Sequence, residues 1–463
     1  MSNLSRAITV ALGTLGFAAS AHAATYVVTA KSQNFDTVLA RKIEAAGGTI
    51  TSRLPQIGVA FVQSSDPNFA TRAAKVPGVR SAVADVTLQF EQPEPLQISE
   101  DFANPPNSGD NDRFFDLQWG HAAIDAAGAW NAGYRGAGVR VAVLDSGVYC
   151  THVDIAPNLL AADSTSFVPG ESYCNTSGSS HGTHTFGTIG AADNGIGTIG
   201  VAPDAKLMAV KVLSAATGSG SFEGIISGIV YAADHGADVI NMSLGVRGGL
   251  DIGGKEVAEL VNATKRAVQY ARSQNAITIV SAGNDGRDLD HDAGVQICDD
   301  DGVCYRANLR AFPAQLPNVV SVSALAPEGW AIDPTTDLDP LASYSNYGSS
   351  AISFGAPGGD GRLPGTQLCQ VGPVVQQCWV FDLVFSTTSV SGASNFYGWM
   401  AGTSMAAPHV SGVAALIIGK HGGEMAPADV ERILRASADD LGKPGKDDAY
   451  GYGRVNAARA VQL

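Results

Sequence analysis

The sequence predicts an α/β fold, a parallel sheet with helices on both faces, preceded by a small α+β unit of the ferredoxin-like kind. Three observations carry this expectation. Short, continuously apolar runs such as 139–144 and 206–212 suit strands buried on both faces. Stretches of helical spacing separate those runs, and strands alternating with helices give a parallel sheet. Ahead of them, residues 25–90 read in the order βαββαβ.

In chain order, 26–29 is strand-like and 35–46 is a helix that Gly47-Gly48 ends. Residues 49–62 hold two short strands broken at Pro55, 68–75 a second helix, and 79–90 one last strand. Residues 91–111 carry four prolines and almost no aliphatic pattern, so 91–112 reads as an exposed linker open to proteolysis. From 113 to 463 the strands are 139–144, 206–212, 239–243, 276–281 and 319–324, with helices at 222–235 and 254–274. A small apolar helix follows His181-Gly182-Thr183-His184, and residues 405–418 form a buried helix after a turn at Gly402-Thr403.

Composition limits the function. Apolar residues make up 45% and charged ones 16%, with 54 glycines, as in a globular protein rich in turns. A formal net charge of −15 argues against electrostatic binding of nucleic acid or an anionic membrane. Arg6, the apolar run 7–19 and the small-x-small Ala21-His22-Ala23 make residues 1–23 a signal peptide, so the protein is expected to be secreted. No other stretch reads as membrane-spanning. Six cysteines suit that compartment, and the most economical pairing is Cys150 with Cys174, Cys298 with Cys304, and Cys369 with Cys378.

In such sheets polar chemistry lies beyond the carboxyl ends of the strands. Asp145 ends one apolar run, Asn284 stands just past another, and His181 opens a helical stretch. Ser404 lies at the mouth of a helix, where free N–H groups could stabilise an oxyanion. It could equally serve as an N-cap, as Asp145 and Asn284 could serve caps and turns.

Three signatures resolve this: Val-Ala-Val-Leu-Asp-Ser-Gly-Val, His-Gly-Thr-His-Thr-Phe-Gly-Thr and Gly-Thr-Ser-Met-Ala-Ala-Pro-His-Val. In this order they resemble the subtilisin-like serine proteases, over nearly all of residues 113–463. The resemblance implies a serine endopeptidase with Ser404 as nucleophile, His181 as general base and acid, and Asp145 orienting the imidazole. Asn284 and the Ser404 N–H would form the oxyanion hole. Ser243, Leu244 and Gly245 would line the primary pocket, Ala282 and Gly283 its opposite wall, and Gly218, Ser219 and Gly220 a second edge for an extended peptide. His184 and His409 read as buried packing residues, since no zinc-type pattern accompanies them.

The same resemblance implies a structural calcium ion on Asp154, the side chain of Asn194 and the carbonyls of Ala192, Ile196 and Thr198. Asp112, Asp116 and Gln118 are candidates for its N-terminal ligand; a plain glycine turn is the alternative. Residues 24–90 would be a propeptide, a folding aid that inhibits the enzyme until a cut between Phe90 and Arg113. Small, uncharged pocket walls favour apolar or mixed side chains before the cut. Asp288, Asp290, Asp292 and 299–301 leave a basic preference open. The inserted stretches around Cys298–Cys304 and at 358–400 are expected as surface loops stapled by disulfides. The expected partners are protein or peptide substrates and the chain's own propeptide, with the enzyme a monomer. Two other readings stay open: a catalytically silent scaffold, and a protease restricted to one processing cut.

Overall fold

The computed structural model describes residues 23–98, 109–291, 293–298, 304–362, 365–372, 374–390 and 393–463. Residues 1–22 of the expected signal peptide lie outside them. The central sheet has seven parallel strands. Their order is Phe354–Pro357, Val319–Leu325, Ile277–Ser281, Val239–Met242, Arg140–Asp145, Lys206–Lys211 and Thr165–Ser166. Val141 and Val143 pack into one core, and Ala142 and Leu144 into the other. Both faces of the strand therefore demand apolar side chains, which is why its sequence does not alternate. The helices Phe222–Asp234 and Lys255–Ser273 cover one face; His181–Gly190 and Thr403–Lys420 cover the other.

The first strand, Arg140–Asp145, sits inside the sheet; the next two lie to one side of it and the last four to the other. The order reverses between Arg140–Asp145 and Val239–Met242, where the two chains depart in opposite directions and open a crevice at their carboxyl ends. Asp145 and Ser243 stand there.

The N-terminal unit is a four-stranded antiparallel sheet in the order Thr49–Leu54, Val59–Ser64, Ala24–Ala30, Val79–Ala84, carrying helices Thr37–Ala45 and Phe69–Ala73. This is the expected ferredoxin-like arrangement. Tyr26, Val28 and Ala30 face its own helices. Val27, Val59 and Phe61, on the other face, pack with the helices Phe222–Asp234 and Lys255–Ser273. Arg266 fastens the joint by donating to the carbonyls of Ala30, Ser32 and Ile57.

Several expectations need correction. Residues 79–90 are two strands, not one: after Val79–Ala84 the chain leaves the sheet, and Thr87–Gln89 pairs antiparallel with Ser219–Ser221. The linker is not wholly exposed, since Leu96–Ile98 forms a strand against Ala393–Met400 and Asp112 is fully buried. Residues 99–108 lie outside the described residues. Nor is 358–400 merely a surface loop. Phe381, Phe385 and Trp399 form a buried aromatic cluster with Phe114 and Tyr397, because their ring area outweighs the polar residues between them. The hairpin Ala293–Cys298 and Cys304–Arg310 is mostly exposed, as expected. Disulfides join Cys150 to Cys174 and Cys369 to Cys378; Cys298 faces Cys304 in the hairpin register, but its side chain lies outside the described residues.

Candidate active site

Asp145 is 1% exposed, and a carboxylate this deep needs donors. It has three. His181 Nδ1 lies 2.8 and 3.0 Å from its oxygens, the Ser146 N–H donates at 2.6 Å and the Thr185 hydroxyl at 3.3 Å. Accepting from Nδ1 fixes the imidazole tautomer and leaves Nε2 free to act as a base. His181 is the first residue of the helix His181–Gly190, rather than preceding it as expected. Gly182 lets that helix approach the strand end, because a Cβ there would meet the Gly147 carbonyl at 2.1 Å. Buried His181 Nε2 has no hydrogen-bond partner among the described residues.

Ser404 lies in the first turn of Thr403–Lys420, and Gly402 is the N-cap, so the capping alternative for Ser404 does not hold. Its hydroxyl donates to the Ser243 carbonyl at 3.3 Å. Pro408, inside the helix, has no N–H for the carbonyl four residues earlier, which is that of Ser404. Ser243 Oγ donates to that orphaned carbonyl at 2.7 Å. The proline thus ties the serine's turn to the switch-point strand. Asn284 Oδ1 accepts from the Thr403 N–H at 2.9 Å and the Thr403 hydroxyl at 2.8 Å. These bonds hold the amide so that Nδ2 points into the cleft.

The cleft leaves an open volume of about 580 Å³, and the chain's own residues 89–94 form part of its lining. Phe90 N–H donates to the Gly218 carbonyl at 3.1 Å, and Phe90 bridges antiparallel to Val246 on the other side. Residues 87–90 thus run extended beside Gly218–Ser219–Gly220, and their other side meets Val246, which follows Ser243–Leu244–Gly245 in the chain. Glu91 follows. Its Oε2 accepts from Asn284 Nδ2 at 2.8 Å, and its Oε1 lies 3.3 Å from Arg247 Nε. Gly245, Gly283, Asn284 and Ser404 also line a small cavity under Glu91. Ala282 is buried behind that wall. Of the acids near the pocket, Asp288 pairs with His291 and Asp290 with Ser349 and Ser350. Asp292 and residues 299–301 lie outside the described residues.

A second polar group forms where 192–198 loops past Asp154. Asp154 accepts from Asn194 Nδ2 at 3.1 Å and from the Thr198 N–H at 3.0 Å, and its own carbonyl accepts from the Ala192 N–H. Asp112 Oδ1 accepts from the N–H groups of Asn194 and Ile196. Asp112 Oδ2 is buried and has no donor among the described residues, with Asp110 and Asp193 beside it. Burial first, then Asp110, pushes the Asp112 carboxyl up to about 8; burial pushes Asp154 up to about 6. A cluster of acids with one buried carboxylate oxygen lacking a donor fits a hard cation such as calcium. Of the three N-terminal candidates, Asp112 is the one that bonds this loop. Gln118 instead exchanges two bonds with Ile199, and Asp116 belongs to a neighbouring turn.

His184 Nε2 bonds the Val384 carbonyl and His409 Nδ1 the Met405 carbonyl. Burial pushes their pKa values down to about 3 and about 4, so both are neutral packing groups, as expected. Sequence reasoning missed Glu91, Arg247 and the buried Lys211. Lys211 holds the Ser146 and Asn175 carbonyls and pairs with Glu171 at 3.0 Å, bracing the loop after Asp145. A lysine at the end of an apolar strand was the available signal for it.

A serine bonded to one strand end, a buried histidine–aspartate pair at the next strand's end and an amide bonded to the serine's helix are side chains of the kinds that serine hydrolases use. Residues 136–453 match the model of the Subtilase family, and the chain belongs to that family. It is a serine endopeptidase of the subtilisin type. It is 34% identical to subtilisin DY of Bacillus licheniformis over 346 residues, which is 75% of this chain and 99% of that protein. Fervidolysin from Fervidobacterium pennivorans, a keratinolytic enzyme related to subtilisin, superposes with a TM-score of 0.69 at 25% identity, covering 96% of this chain and 61% of that one. The epidermin leader peptide processing protease of Staphylococcus aureus shares the fold, with a TM-score of 0.72 at 22% identity over 96% of this chain and 98% of its own. Among the described residues no helix is long and apolar enough to cross a membrane.

Proposed function

We propose that the chain is the secreted precursor of a calcium-stabilised endopeptidase that cuts peptide bonds through an acyl-enzyme. The observation that carries this reading is the buried Asp145–His181 pair at one strand end, with Ser404, in the first turn of its helix, bonded to Ser243 at the end of the neighbouring strand. His181 Nε2 would take the Ser404 proton as Oγ attacks the scissile carbonyl, then pass it to the departing amine. Water, deprotonated by the same nitrogen, would release the acid and restore Ser404. Asp145 would offset the imidazolium charge. Asn284 Nδ2 and the Ser404 N–H would bond the oxyanion.

Glu91 on Asn284 supports a precursor that inhibits itself, since a carboxylate there occupies the donor the oxyanion needs. Residues 24–90 would act as the propeptide and inhibitor, and maturation would cut between Phe90 and Arg113. The cation would be held by Asp112, Asp154, Asn194 and the carbonyls of Ala192, Ile196 and Thr198. It would neutralise buried carboxylates and lock the loop, far from any reacting atom.

Replacing Ser404 by Ala tests the reading. The variant is expected to accumulate as a precursor retaining residues 24–90 and to hydrolyse no peptide, while the parent matures and cleaves. A Ser404→Ala protein that still matures in pure form would contradict it.

A further inference from the structure

Beyond the nucleophile, residues 91–98 continue along a surface that the triad reading does not use. The inserted strand Ala393–Met400 runs almost directly into Gly402 and Ser404. Its inner neighbour is the strand Val384–Val390 and its outer neighbour is the chain's own Leu96–Ile98, paired antiparallel with Leu96 opposite Trp399, Gln97 opposite Gly398 and Ile98 opposite Tyr397. Gln97 adds a side-chain bond to the Ser389 carbonyl at 3.3 Å. Leu96 is 42% exposed, so the backbone rather than a side-chain pocket holds this segment. Gly398 makes room for it: a Cβ there would stand 2.6 Å from the Leu96 carbonyl.

The path is continuous with the cleft. Glu91 meets Asn284, residues 92–94 line the groove beside Ala401, and Leu96 joins the strand five residues after Glu91. We infer that the edge of Ala393–Met400 is a strand-docking site for protein substrates. It takes, in extended form, the residues about five to seven positions beyond the cut, once the chain's own 96–98 have left. The substrate class is unfolded polypeptide that extends well past the scissile bond. Recognition through a backbone ladder tolerates many side chains but not proline, which lacks the donor. This rests on the protease reading above and adds a second binding region to it.

The test uses three matched peptides and the matured enzyme. One ends three residues past the cut, one continues to the eighth with threonine and valine, and one repeats the long peptide with proline at the fifth and sixth positions. The long peptide is expected to show about tenfold higher kcat/KM than the short one, the worth of one or two net hydrogen bonds. The proline peptide should fall back to the short one. In Gly398→Ala the long-to-short ratio should shrink toward one, a quotient that cancels any change in the chemical step. Equal cleavage of all three peptides by the parent enzyme overturns the inference, as does a ratio unmoved in a folded Gly398→Ala. If Gly398→Ala does not fold, the peptide series decides alone. If not even the short peptide is cut, the protease reading falls and this inference with it.

Discussion

Two fully buried aspartates, Asp145 and Asp112, lie at opposite ends of one functional problem. Asp145 accepts from a ring nitrogen, a backbone N–H and a hydroxyl, so the protein itself satisfies it. Among the described residues Asp112 has donors on one oxygen only, and its other oxygen lies beside Asp110 and Asp193. A satisfied carboxylate orients its partner with no help from solvent. A half-satisfied one, crowded by like charge, is stable when a cation completes it. The first arrangement suits chemistry, the second suits an ion, and burial alone does not tell them apart.

That difference is most sharply exposed by Asp145→Asn. An amide of the same shape keeps the fold but no longer selects the imidazole tautomer, so kcat should fall about 10⁴-fold with Tm little changed. Steady-state rates on a short peptide check this; a loss under tenfold would put Asp145 outside the catalytic unit. Asp112→Asn should behave in the opposite way, retaining kcat in excess calcium and losing calcium-dependent stability. With the ion at about 1,000 times its dissociation constant, the parent should gain about 4 kcal/mol over the chelated form. The variant should gain less than half of that, read by calorimetry in calcium and in chelator. Equal gains would remove Asp112 from the site.

A smaller effect comes from the buried histidines His121, His184 and His409, whose pKa values burial pushes down to about 3, 3 and 4. Each titrates near 6.5 in the unfolded chain. Between pH 6.5 and 4 the unfolded chain binds protons that the native one refuses, so stability falls as pH falls through that window. Each histidine contributes up to about 1.4 kcal/mol per pH unit. His409→Gln in a Ser404→Ala background should flatten the slope by about one proton, measured by denaturant unfolding from pH 7 to 4. An unchanged slope would mean that His409 does not stay neutral.

The contrast also explains what the sequence could reveal. Asp145, Asn284, His181 and Ser404 could be singled out because apolar strands and a small-residue helix mark the sheet's ends, but it was the resemblance of the three signatures to a family that gave them roles. The Ser404 helix begins before the apolar run does, since the Gly402 turn leads straight into it, so Ser404 sits inside its first turn. Asp112 was named only as one of three candidates, because prolines and acids around it read as solvated linker while its burial comes from a distant loop. Glu91 was hidden for the same reason: its partners Asn284 and Arg247 are more than 150 residues away in the chain. In the aromatic cluster of 358–400, Tyr397 and Trp399 keep a strand's two-residue spacing, but one such pair among polar residues is too short a pattern to reveal burial.

The central claim is that Asp145, His181 and Ser404 act as one unit while Asp112 does not belong to it. The most direct measurement is the rate of labelling by a serine-directed fluorophosphonate, with the labelled peptide mapped, in calcium. Parent and Asp112→Asn should label at Ser404 at similar rates, and Asp145→Asn and His181→Ala should be slower by about 10³-fold or more. Labelling at another serine, or equal rates in all four proteins, would contradict the account.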